Sequence, residues 1–476
     1  MNSGTGAVSV AAVDLGATSG RVMLGRVGPN ELQLHPVLRF PNTPIHTETG
    51  MHWNIDELYR MVISGLRTAL GEERDIRSIG VDSWAVDYAL LKDGLTLGPP
   101  FHYRDERNLA ATEVVHAELS EPALYAANGL QYLPFNTIYQ LTADRMSGAL
   151  AEADRFLLVP DLINFWLGGA MAAERTNAST TGLLDVSTGL WYDEVVAKLE
   201  LPRSLFPPVV EPGTSLGGLS RAVIGELGGG ERVAVNSVGS HDTASAVVAV
   251  PSTDADFAYI SCGTWGLVGV ELETPVLTEA SRLAGFTNEG GVDGRIRYLH
   301  NVMGLWLLSE SVRTWEAEGT VIHLPVLLQQ AALVGEPMPV FNANDARFLV
   351  PGDMPARIAE WFGERGIRAP QSKSEMVRSI VESLADAFAA AVATATELSG
   401  KKVSVIHLVG GGSQNELLCR LTANRSGLPV LAGPVEATAI GNVLVQARAH
   451  GSSAVSLEAM RGLVAKTFPP VRYERS

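Results

Sequence analysis

The sequence predicts an α/β protein of two domains, and three observations lead to this prediction. The chain has 476 residues, which is more than one hydrophobic core usually organises. Strand patterns alternate with amphipathic helix patterns along most of the chain, as they do in α/β proteins. Two similar turns, DLGATSGR at 14–21 and SCGTWG at 261–266, each lie between two runs of β-type residues.

These two turns predict two hairpins in corresponding places of the two halves. The first turn follows VSVAAV and precedes RVMLGRV, and the second lies between FAYI and LVGVEL. The main-chain N–H groups and hydroxyls of such turns can hold phosphate oxygens. Either turn alone is more simply explained as a Gly-rich hairpin, and it is their pairing that favours two phosphate-binding halves.

The elements of the first half alternate between strand and helix. Asn54, followed by Glu57, predicts the start of a capped helix, because an Asn side chain accepts a hydrogen bond from the backbone two or three residues later. The dipeptide Asp93-Gly94 predicts a hairpin turn. Further predicted elements are a strand at 76–84, helices at 104–121 and 161–167, a strand at 232–239 and a helix at 243–250.

The segment VPSTDAD at 250–256 is the candidate linker, so the expected domains are 1–250 and 251–476. The second half repeats the scheme of the first. After its hairpin we expect a helix through 304–315, a long Ala-rich helix at 374–398, a strand that ends at Gly410-Gly411-Gly412, and a last capped helix near Glu436.

The charge balance and the cysteine count restrict the class of partner. With 36 Lys and Arg against 52 Asp and Glu, the formal charge is −16, which disfavours nucleic acid and anionic membranes as partners. Only Cys262 and Cys419 are present, without metal-site spacing. The N-terminus MNSGTGAVSV lacks the features of a signal peptide. We therefore expect a cytoplasmic protein, and its state, monomer or homodimer, stays open.

The common nucleotide-binding motifs are absent from the sequence. It contains no GxxxxGK[ST], no GxGxxG that opens a helix, and no HRD or DFG pair. P-loop, Rossmann and protein-kinase folds are therefore disfavoured. Two phosphate hairpins followed by a Gly-rich turn between a strand and a helix instead match the actin-like (ribonuclease H-like) plan of sugar kinases, in which ATP lies in an interdomain cleft.

Longer segments resemble the FGGY family of carbohydrate kinases. The most selective are SHDTASAV at 240–247, GLQYLPFNTIYQL at 129–141 and NVMGLWLL at 301–308, and the likeness extends over essentially the whole chain. This resemblance implies phosphorylation of the C1 hydroxyl of a small ketose by Mg·ATP. The expected substrate is L-rhamnulose, while L-fuculose, L-ribulose or another ketose is an open alternative. A further alternative is a sensor that binds ATP and sugar without phosphorylating the sugar.

The resemblance assigns the chemistry to three consecutive residues. It implies that Asp242 removes the proton of the sugar hydroxyl and that His241 and Thr243 contact the sugar. By its own chemistry Asp242, after a strand and at the start of a helix, is either a general base or a helix cap. His241 alone would more simply be a buried structural histidine.

The resemblance also implies how the nucleotide is held. Asp14 would hold Mg²⁺ directly or through water, which is ordinary chemistry for this ion. Thr264 would face the β and γ phosphates, and Gly411 would lie against the nucleotide. The residues expected along the phosphates are Ala17, Thr18, Ser19, Gly20 and Arg21. Taken singly, Asp14 and Thr264 are also ordinary turn residues, and a glycine triplet also suits close packing.

Asn301 corresponds to a substrate-site asparagine, and two positions depart from the family pattern. Ala85 stands where related sequences place a glycine against the sugar, so an added methyl group could narrow the pocket. Ser309 stands where they have an ATP-contacting glutamine, and we assign it no nucleotide role. Trp84 and Asp87 either shape the sugar pocket or pack beside it.

Overall fold

The computed structural model of the protein describes residues 6–335, 337–452 and 454–475. The chain forms two compact units. The first takes the chain up to Ala249 together with Glu271–Tyr298 and Ala437–Thr467, and the second takes Val250–Val270, Leu299–Glu436 and the residues from Phe468 on. Two segments that follow residue 250 in the sequence therefore belong to the first unit.

The strands and helices alternate along the described chain. The strands are β1 (Val8–Leu15), β2 (Ser19–Gly28), β3 (Glu31–Pro41), β4 (Ile45–Thr47), β5 (Gly50–His52), β6 (Ile76–Ser83), β7 (Tyr88–Lys92), β8 (Leu95–Thr96), β9 (Arg155–Leu158), β10 (Ala173–Glu174), β11 (Val209–Val210), β12 (Ser215–Gly218), β13 (Ala234–Asn236), β14 (Phe257–Cys262), β15 (Gly266–Leu272), β16 (Thr287–Gly290), β17 (Ile296–Val302), β18 (Val405–Val409), β19 (Val430–Ala432) and β20 (Val471–Tyr473).

The helices are α1 (Ile55–Glu72), α2 (Leu109–Glu118), α3 (Glu121–Asn128), α4 (Thr137–Ser147), α5 (Val159–Gly168), α6 (Arg175–Ala178), α7 (Asp193–Lys198), α8 (Arg221–Leu227), α9 (Asp242–Val248), α10 (Glu279–Leu283), α11 (Trp306–Ala317), α12 (Leu324–Ala332), α13 (Met354–Gly363), α14 (Lys373–Ser399), α15 (Glu416–Ser426), α16 (Ala437–Ala449) and α17 (Leu457–Thr467).

The main sheet of the first unit has the strand order β12-β13-β6-β1-β2-β3. Strands β13, β6 and β1 are parallel, whereas β1, β2 and β3 form an antiparallel meander. Every residue of β1 is buried, which explains its nearly continuous apolar run. Because β1 and β6 are parallel and in register, Asp14 lies beside Asp82 at the same edge of the sheet.

Helix α16 packs on the main sheet of the first unit and on α9. A Cβ at Gly441 would overlap the carbonyl oxygen of Ser245, so the backbones of the two helices are in direct contact. The side chain of Gln446 donates to Ala11 O at 3.0 Å, and that of Asn442 donates to Gly80 O at 3.1 Å. These contacts fix α16 to β1 and β6.

The second unit contains residues of six neighbouring strands of one sheet, in the order β17-β15-β14-β18-β19-β20. Strand β14 is antiparallel to β15 and parallel to β18. The predicted second hairpin is present, with Cys262 opposite Gly266 at its end. The predicted Ala-rich helix is α14, and it begins at a capping box formed by Ser372 and Glu375.

Local capping and turn signals of the first half are confirmed. Asn54 accepts a hydrogen bond from Glu57 N at the start of α1, and the hairpin of β7 and β8 turns at Asp93-Gly94. The expected helix over 104–121 is wrong in detail. Helix α2 ends at Glu118 and α3 starts after Ser120, whose extended backbone and the proline that follows begin a new helix.

Two other expectations about elements are corrected. The helix near Glu436, expected to be the last, is followed by α17 and by strand β20. The helix expected at 161–167 is α5, which begins two residues earlier, and the carboxylate of Asp161 accepts from Glu174 N. Within the described part of the chain, no helix has the length and apolar character needed to cross a membrane.

Candidate active site

The short turn that leads from β13 into α9 presents Asp242. Asp242 is the first residue of α9; the capping position belongs to His241, whose side chain makes no capping hydrogen bond. The Oδ1 atom of Asp242 accepts from Thr243 Oγ1 at 3.1 Å, and about a third of the Asp242 side chain (31%) is exposed. Among the described residues, no donor reaches Oδ2. Asp242 therefore offers an accessible carboxylate oxygen and does not cap its helix.

The segment that contains β10 and α6 holds this turn in place. The fully buried carboxylate of Glu174 accepts from Ser240 N at 2.9 Å and from Ser240 Oγ at 2.7 Å. His241 N donates to Thr176 Oγ1 at 3.2 Å, and Asn177 Nδ2 donates to Ser240 O at 3.3 Å. These bonds fix the direction in which the backbone reaches Asp242.

The imidazole of His241 lies between Asp242 and a buried ion pair. Its Nε2 is 3.4 Å from Asp242 Oδ1. On the other side, its Nδ1 is 3.1 Å from Arg297 Nη2 and 3.3 Å from Glu289 Oε2. Burial alone would raise the pKa of Glu289, but the charge of Arg297 holds that pKa below its usual value.

A second acidic group lies at the ends of β1 and β6. Arg21 binds one oxygen of Asp14 with both Nε and Nη2, at 2.8 and 2.6 Å. Asp82, the register neighbour of Asp14, is fully buried and accepts from Asn442. Burial raises the pKa of Asp82 well above its usual value, and the charges of Asp14 and Asp242 raise it further. Asp14, Asp82 and Asp242 are therefore close enough to interact electrostatically.

The first glycine turn is held by its own backbone and by Asn42. Gly16 N donates to Ser19 O at 2.9 Å, and Asn42 donates from its side chain to Gly16 O at 2.9 Å and from its backbone to Thr18 O at 3.0 Å. Thr18 and Ser19 are exposed, and Ala17 is partly exposed. The turn thus presents two hydroxyl groups to a ligand. At its end, a Cβ at Gly20 would overlap a neighbouring phenylalanine ring.

The acidic residues of the first unit fit a magnesium ion that is carried by phosphate. In the described ranges, no three His, Cys, Asp or Glu side chains are placed to hold a metal ion. Asp82 Oδ1 is buried and receives no hydrogen bond from the described residues, and one oxygen of Asp14 is paired with Arg21. Mg²⁺ prefers oxygen ligands and usually keeps waters and substrate phosphates among them. These carboxylates suit such an ion, which would need phosphate oxygens and water to complete its coordination.

Ala85 lies in a strained turn after β6. Asp87 N donates to Ala85 O at 2.9 Å, and Val86 between them has a φ of 70°. Such a γ-turn is rare, and a positive φ is unfavourable for a β-branched residue, at a cost of roughly 1–3 kcal/mol. Thr137 Oγ1 holds the turn by donating to Val86 O at 2.7 Å. The surroundings therefore impose the position of Ala85.

The carboxylate of Asp87 anchors this turn to the aromatic side chains around it. It accepts from Trp53 Nε1 at 2.6 Å, Trp84 Nε1 at 3.0 Å, Gln140 Nε2 at 2.9 Å and Tyr103 N at 3.2 Å. Burial raises the pKa of Asp87 to about 7, against the opposing effect of these donors. Of the two alternatives for Trp84 and Asp87, these contacts favour packing that supports Ala85 from behind.

In the second unit, Thr264 lies in the turn between β14 and β15. Gly263 N donates to Trp265 O at 2.8 Å and closes the turn, and Trp306 N donates to Thr264 O at 3.0 Å. A Cβ at Gly304 would lie 2.5 Å from Thr264 O. The loop before α11 is therefore in direct contact with the backbone of this turn. The Thr264 side chain is partly exposed.

The glycine triplet after β18 packs against the same turn through Cys262. A Cβ at Gly410, whose φ is 84°, would lie 2.9 Å from Cys262 O, and a Cβ at Gly412 would lie 2.6 Å from Cys262 Cβ. Gly411 is exposed, and a Cβ there would meet nothing within 4 Å. Close packing thus explains two of the three glycines, and open space lies beside the third. Burial raises the pKa of the Cys262 thiol to about 12, which suits a packed, inert side chain.

The predicted site residues fall into two groups that match the two units. The first unit contains Asp14, Ala17, Thr18, Ser19, Gly20, Arg21, Ala85, His241, Asp242 and Thr243. The second contains Thr264, Asn301 and Gly411. Asn301 is partly buried on β17, and Ser309 is exposed on α11.

Three residues around the site were not predicted from the sequence: Asp82, Glu289 and Arg297. The segments AAVD at 11–14 and IGVD at 79–82 both end in Val-Asp, and their alignment on parallel strands could have indicated Asp82. For Glu289 and Arg297 we find no local signal, because their contact with His241 depends on the return of Glu271–Tyr298 to the first unit.

The N-terminal domain model of the FGGY family of carbohydrate kinases matches residues 9–249, and the C-terminal domain model of the same family matches residues 258–450. The chain belongs to the FGGY family of carbohydrate kinases. The family-model matches and the two α/β units agree with the two-domain sugar-kinase fold expected from the sequence.

Relatives of similar length carry the name rhamnulokinase. The chain is 40% identical over 465 residues to that of Bacteroides thetaiotaomicron, covering 97% of this chain and 95% of the relative. It is 40% identical over 472 residues to that of Pectobacterium carotovorum, with 98% and 92% covered. For that of Yersinia pestis the identity is 38% over 463 residues, with 96% and 93% covered.

Solved structures share the fold at much lower identity. A gluconate kinase from Lactobacillus acidophilus has a TM-score of 0.79 at 15% identity, with 99% of this chain and 94% of that chain covered. A ligand-bound xylulose kinase from the same organism gives 0.78 at 16%, with 98% and 94% covered. Glycerol kinase of Plasmodium falciparum with ADP gives 0.77 at 13%, with 99% and 94% covered. At such identities the likeness establishes the fold alone.

Proposed function

We propose that the protein phosphorylates L-rhamnulose at the C1 hydroxyl, using ATP and Mg²⁺, and releases L-rhamnulose 1-phosphate and ADP. Full-length relatives named rhamnulokinase at 38–40% identity support this choice of sugar. The division of the chain into 1–250 and 251–476, a cytoplasmic location and a monomeric or homodimeric state remain predictions.

The observation that carries the proposed chemistry is the geometry of Asp242. Its carboxylate does not cap α9, is partly exposed, and keeps Oδ2 free of donors from the described chain. Oδ2 accepts the proton of the C1 hydroxyl while that oxygen bonds to the γ-phosphorus. The bond between the γ-phosphorus and the β–γ bridging oxygen breaks, and ADP leaves.

The remaining candidate residues position the nucleotide. Thr18 and Ser19 offer their exposed hydroxyls to phosphate oxygens, and Thr264 offers its own from the second unit. Gly411 has open space for a nucleotide beside it. Asp14, with Asp82 beside it, would hold Mg²⁺ directly or through water, and the bound ion would neutralise charge on the phosphates.

The test of the mechanism is Asp242→Asn. We expect kcat to fall by roughly 10² or more while the KM for ATP and the melting temperature stay unchanged. A helix cap would behave differently, because its loss costs about 1 kcal/mol of stability and little activity. Ser220→Ala is the matched control, since Ser220 caps α8 by accepting from Val223 N. An Asp242→Asn enzyme that is folded and fully active would contradict the proposal.

The test of the substrate is ADP release with Mg·ATP and a panel of L-rhamnulose, L-fuculose, L-ribulose, D-xylulose and glycerol. We expect the highest kcat/KM with L-rhamnulose. The second candidate is a kinase for another of these ketoses, and the methyl group of Ala85, held by a strained turn, favours it. A preference for another sugar would replace L-rhamnulose and keep the mechanism, whereas no ADP release with any sugar would favour a sensor.

A further inference from the structure

We propose that Glu289 and Arg297 are positioning residues that hold His241 in the tautomer whose Nε2–H faces Asp242, and that they orient the Asp242 carboxylate through His241. This inference rests on the proposed role of Asp242 as the base. It adds two residues to the site that the sequence did not indicate.

Glu289 and Arg297 form a buried ion pair. The side chain of Arg297 is 0% exposed and that of Glu289 is 7% exposed, and Arg297 Nη1 lies 3.0 Å from Glu289 Oε2. Removing two charges from water costs several kcal/mol per ion, and a buried ion pair is often no more stabilising than apolar side chains of the same volume. A contribution to stability therefore does not explain why this ion pair is buried here, whereas a role in orienting His241 does.

The contact between Arg297 and His241 fixes the direction of the hydrogen bond at Nδ1. Arg297 Nε donates to Gly290 O at 2.9 Å, and Arg297 Nη2 lies 3.1 Å from His241 Nδ1 in hydrogen-bond geometry. A guanidinium group only donates hydrogen bonds. Nδ1 must therefore be the acceptor, and a neutral imidazole then carries its proton on Nε2.

Glu289 is the other possible partner of Nδ1, and its geometry is poorer. Its Oε2 lies 3.3 Å from His241 Nδ1 but is buried without an aligned hydrogen bond. Glu289 therefore acts on Arg297, since its negative charge allows the guanidinium to stay buried beside the ring. The pair works as a unit, and Arg297 makes the contact that selects the tautomer.

The proton on Nε2 faces the carboxylate of Asp242. Nε2 lies 3.4 Å from Asp242 Oδ1, the same oxygen that accepts from Thr243 Oγ1. Thr243 Oγ1 donates to Oδ1, and a proton on Nε2 places positive charge toward the same oxygen, which leaves Oδ2 as the oxygen that accepts the substrate proton. With the opposite tautomer, the lone pair of Nε2 would face the carboxylate and repel it. The orientation of the base thus depends on which ring nitrogen carries the proton.

A double-mutant cycle tests the proposal kinetically. The substitutions Glu289→Gln and Arg297→Gln are made together, so that no buried charge is left unpaired. In the wild-type background we expect kcat to fall about 10-fold, a size typical of residues that orient a functional side chain, with the KM for ATP unchanged. In a His241→Ala background the same pair should have no further effect on kcat. Equal losses in both backgrounds would overturn the proposal.

A second buried ion pair of the first unit supplies the matched control. Arg461 contacts both oxygens of Glu271, each at 2.9 Å, and also donates to Val247 O at the far end of α9. The combined Glu271→Gln and Arg461→Gln variant should lose stability, retain kcat, and show no coupling to His241→Ala. A similar kcat loss there would assign the effect to general loosening of α9 and overturn the proposal.

A spectroscopic measurement separates this inference from the proposed function. In ¹⁵N-histidine-labelled protein without substrate, the His241 ring is assigned through His241→Ala, and its nitrogen shifts report the tautomer. We expect a neutral ring with the proton on Nε2, and a changed pattern in the Glu289→Gln and Arg297→Gln variant. A wild-type ring protonated on Nδ1 overturns the proposal, whichever sugar is phosphorylated and even if the variant does not fold.

Discussion

The turn between β1 and β2 joins Leu15 to Gly20, whereas the turn between β14 and β15 joins Cys262 to Gly266 and is one residue shorter. The next pair of residues outward differs in chemistry. In the first hairpin it is Asp14 opposite Arg21, joined by an ion pair, and in the second it is Ser261 opposite Leu267. The two glycine turns are similar, but a charged pair flanks the turn of the first unit and an uncharged pair flanks the turn of the second.

The supports of the two turns differ in the same way. Hydrogen bonds from Asn42 hold the first turn. The second is held by close packing, because Gly304 and Gly412 leave no room for a Cβ against Thr264 and Cys262. Likeness of turn sequence therefore indicates likeness of backbone, while the chemistry depends on the flanking residues.

The buried acids follow the same division. In the described part of the chain, the carboxylic acids whose pKa is raised by burial all belong to the first unit: Asp82, Asp87, Asp161 and Glu174. In the second unit, burial instead raises the pKa of Cys262 and Cys419, each to about 12. Each of these carboxyl groups keeps its proton to a higher pH in the folded state than in the unfolded state. The stability of the first unit should therefore fall as the pH rises above their ordinary pKa values.

Asp87 should make the strongest contribution to the pH dependence of stability. Its pKa is raised from 3.8 to about 7, so between these values the folded state keeps a proton that the unfolded state loses. The contribution of Asp87 to stability is therefore fully present below pH 3.8 and is lost as the pH rises through about 7. Three pKa units correspond to at most about 4 kcal/mol. Urea unfolding at several pH values between 5 and 8 should show a shallower pH dependence in Asp87→Asn.

Asp56→Asn is the control for that experiment, because Asp56 is exposed on α1. It should leave the pH dependence of the unfolding free energy unchanged. If Asp87→Asn also leaves it unchanged, Asp87 does not account for the response, and the contrast between the two units is weakened.

The next effect separates the two turns directly. Asp14→Asn removes the carboxylate of the first turn, and we expect kcat to fall on the order of 10² with a higher requirement for Mg²⁺. Ser261→Ala, at the corresponding position of the second turn, should change kcat only a few-fold. Both are measured by ADP release over a range of Mg²⁺ concentrations. Equal losses in the two variants would show that the turns act alike.

A smaller effect tests packing in the second turn. A Cβ at Gly412 would lie 2.6 Å from Cys262 Cβ, so Gly412→Ala must push the triplet and the turn apart. Overpacking of this kind costs about 1–3 kcal/mol, to be measured as a loss of unfolding free energy in urea. An unchanged unfolding free energy would show that this contact is not tight.

The smallest effect is expected at the neighbouring glycine. Gly411→Ala places a methyl group where nothing lies within 4 Å, so the unfolding free energy should stay within about 0.5 kcal/mol of the wild type. If the nucleotide lies against Gly411, the KM for ATP should still rise. An unchanged KM would remove Gly411 from the proposed ATP site.

Much of the fold could be predicted because its signals are local. Asn54 and Asp93-Gly94 act within three or four residues of chain, and each gave the expected cap or turn. Helix α3 was missed because only Leu119 and Ser120 separate it from α2. Strand β20 was missed because three residues are too few to show a period.

The site was only partly predictable because some of its residues meet through contacts between distant parts of the sequence. Asp14 and Asp242 lie in segments whose local sequence is distinctive. Glu289 and Arg297 reach His241 only because β16 and β17 lie beside the turn that precedes α9. The sequence near these two residues does not indicate that contact. Asp82 lies between these cases, since its strand was predicted but its alignment with Asp14 required the sheet.

The backbone contact between Gly441 of α16 and Ser245 of α9 has a consequence for biosynthesis. About 190 residues separate the first long segment of the first unit, which ends at Ala249, from the start of α16 at Ala437. At 5–20 residues per second, a ribosome needs roughly 10 to 40 s to cover that distance. During this interval the segment that forms α9 has been synthesised, while the segment of α16 that packs on it has not.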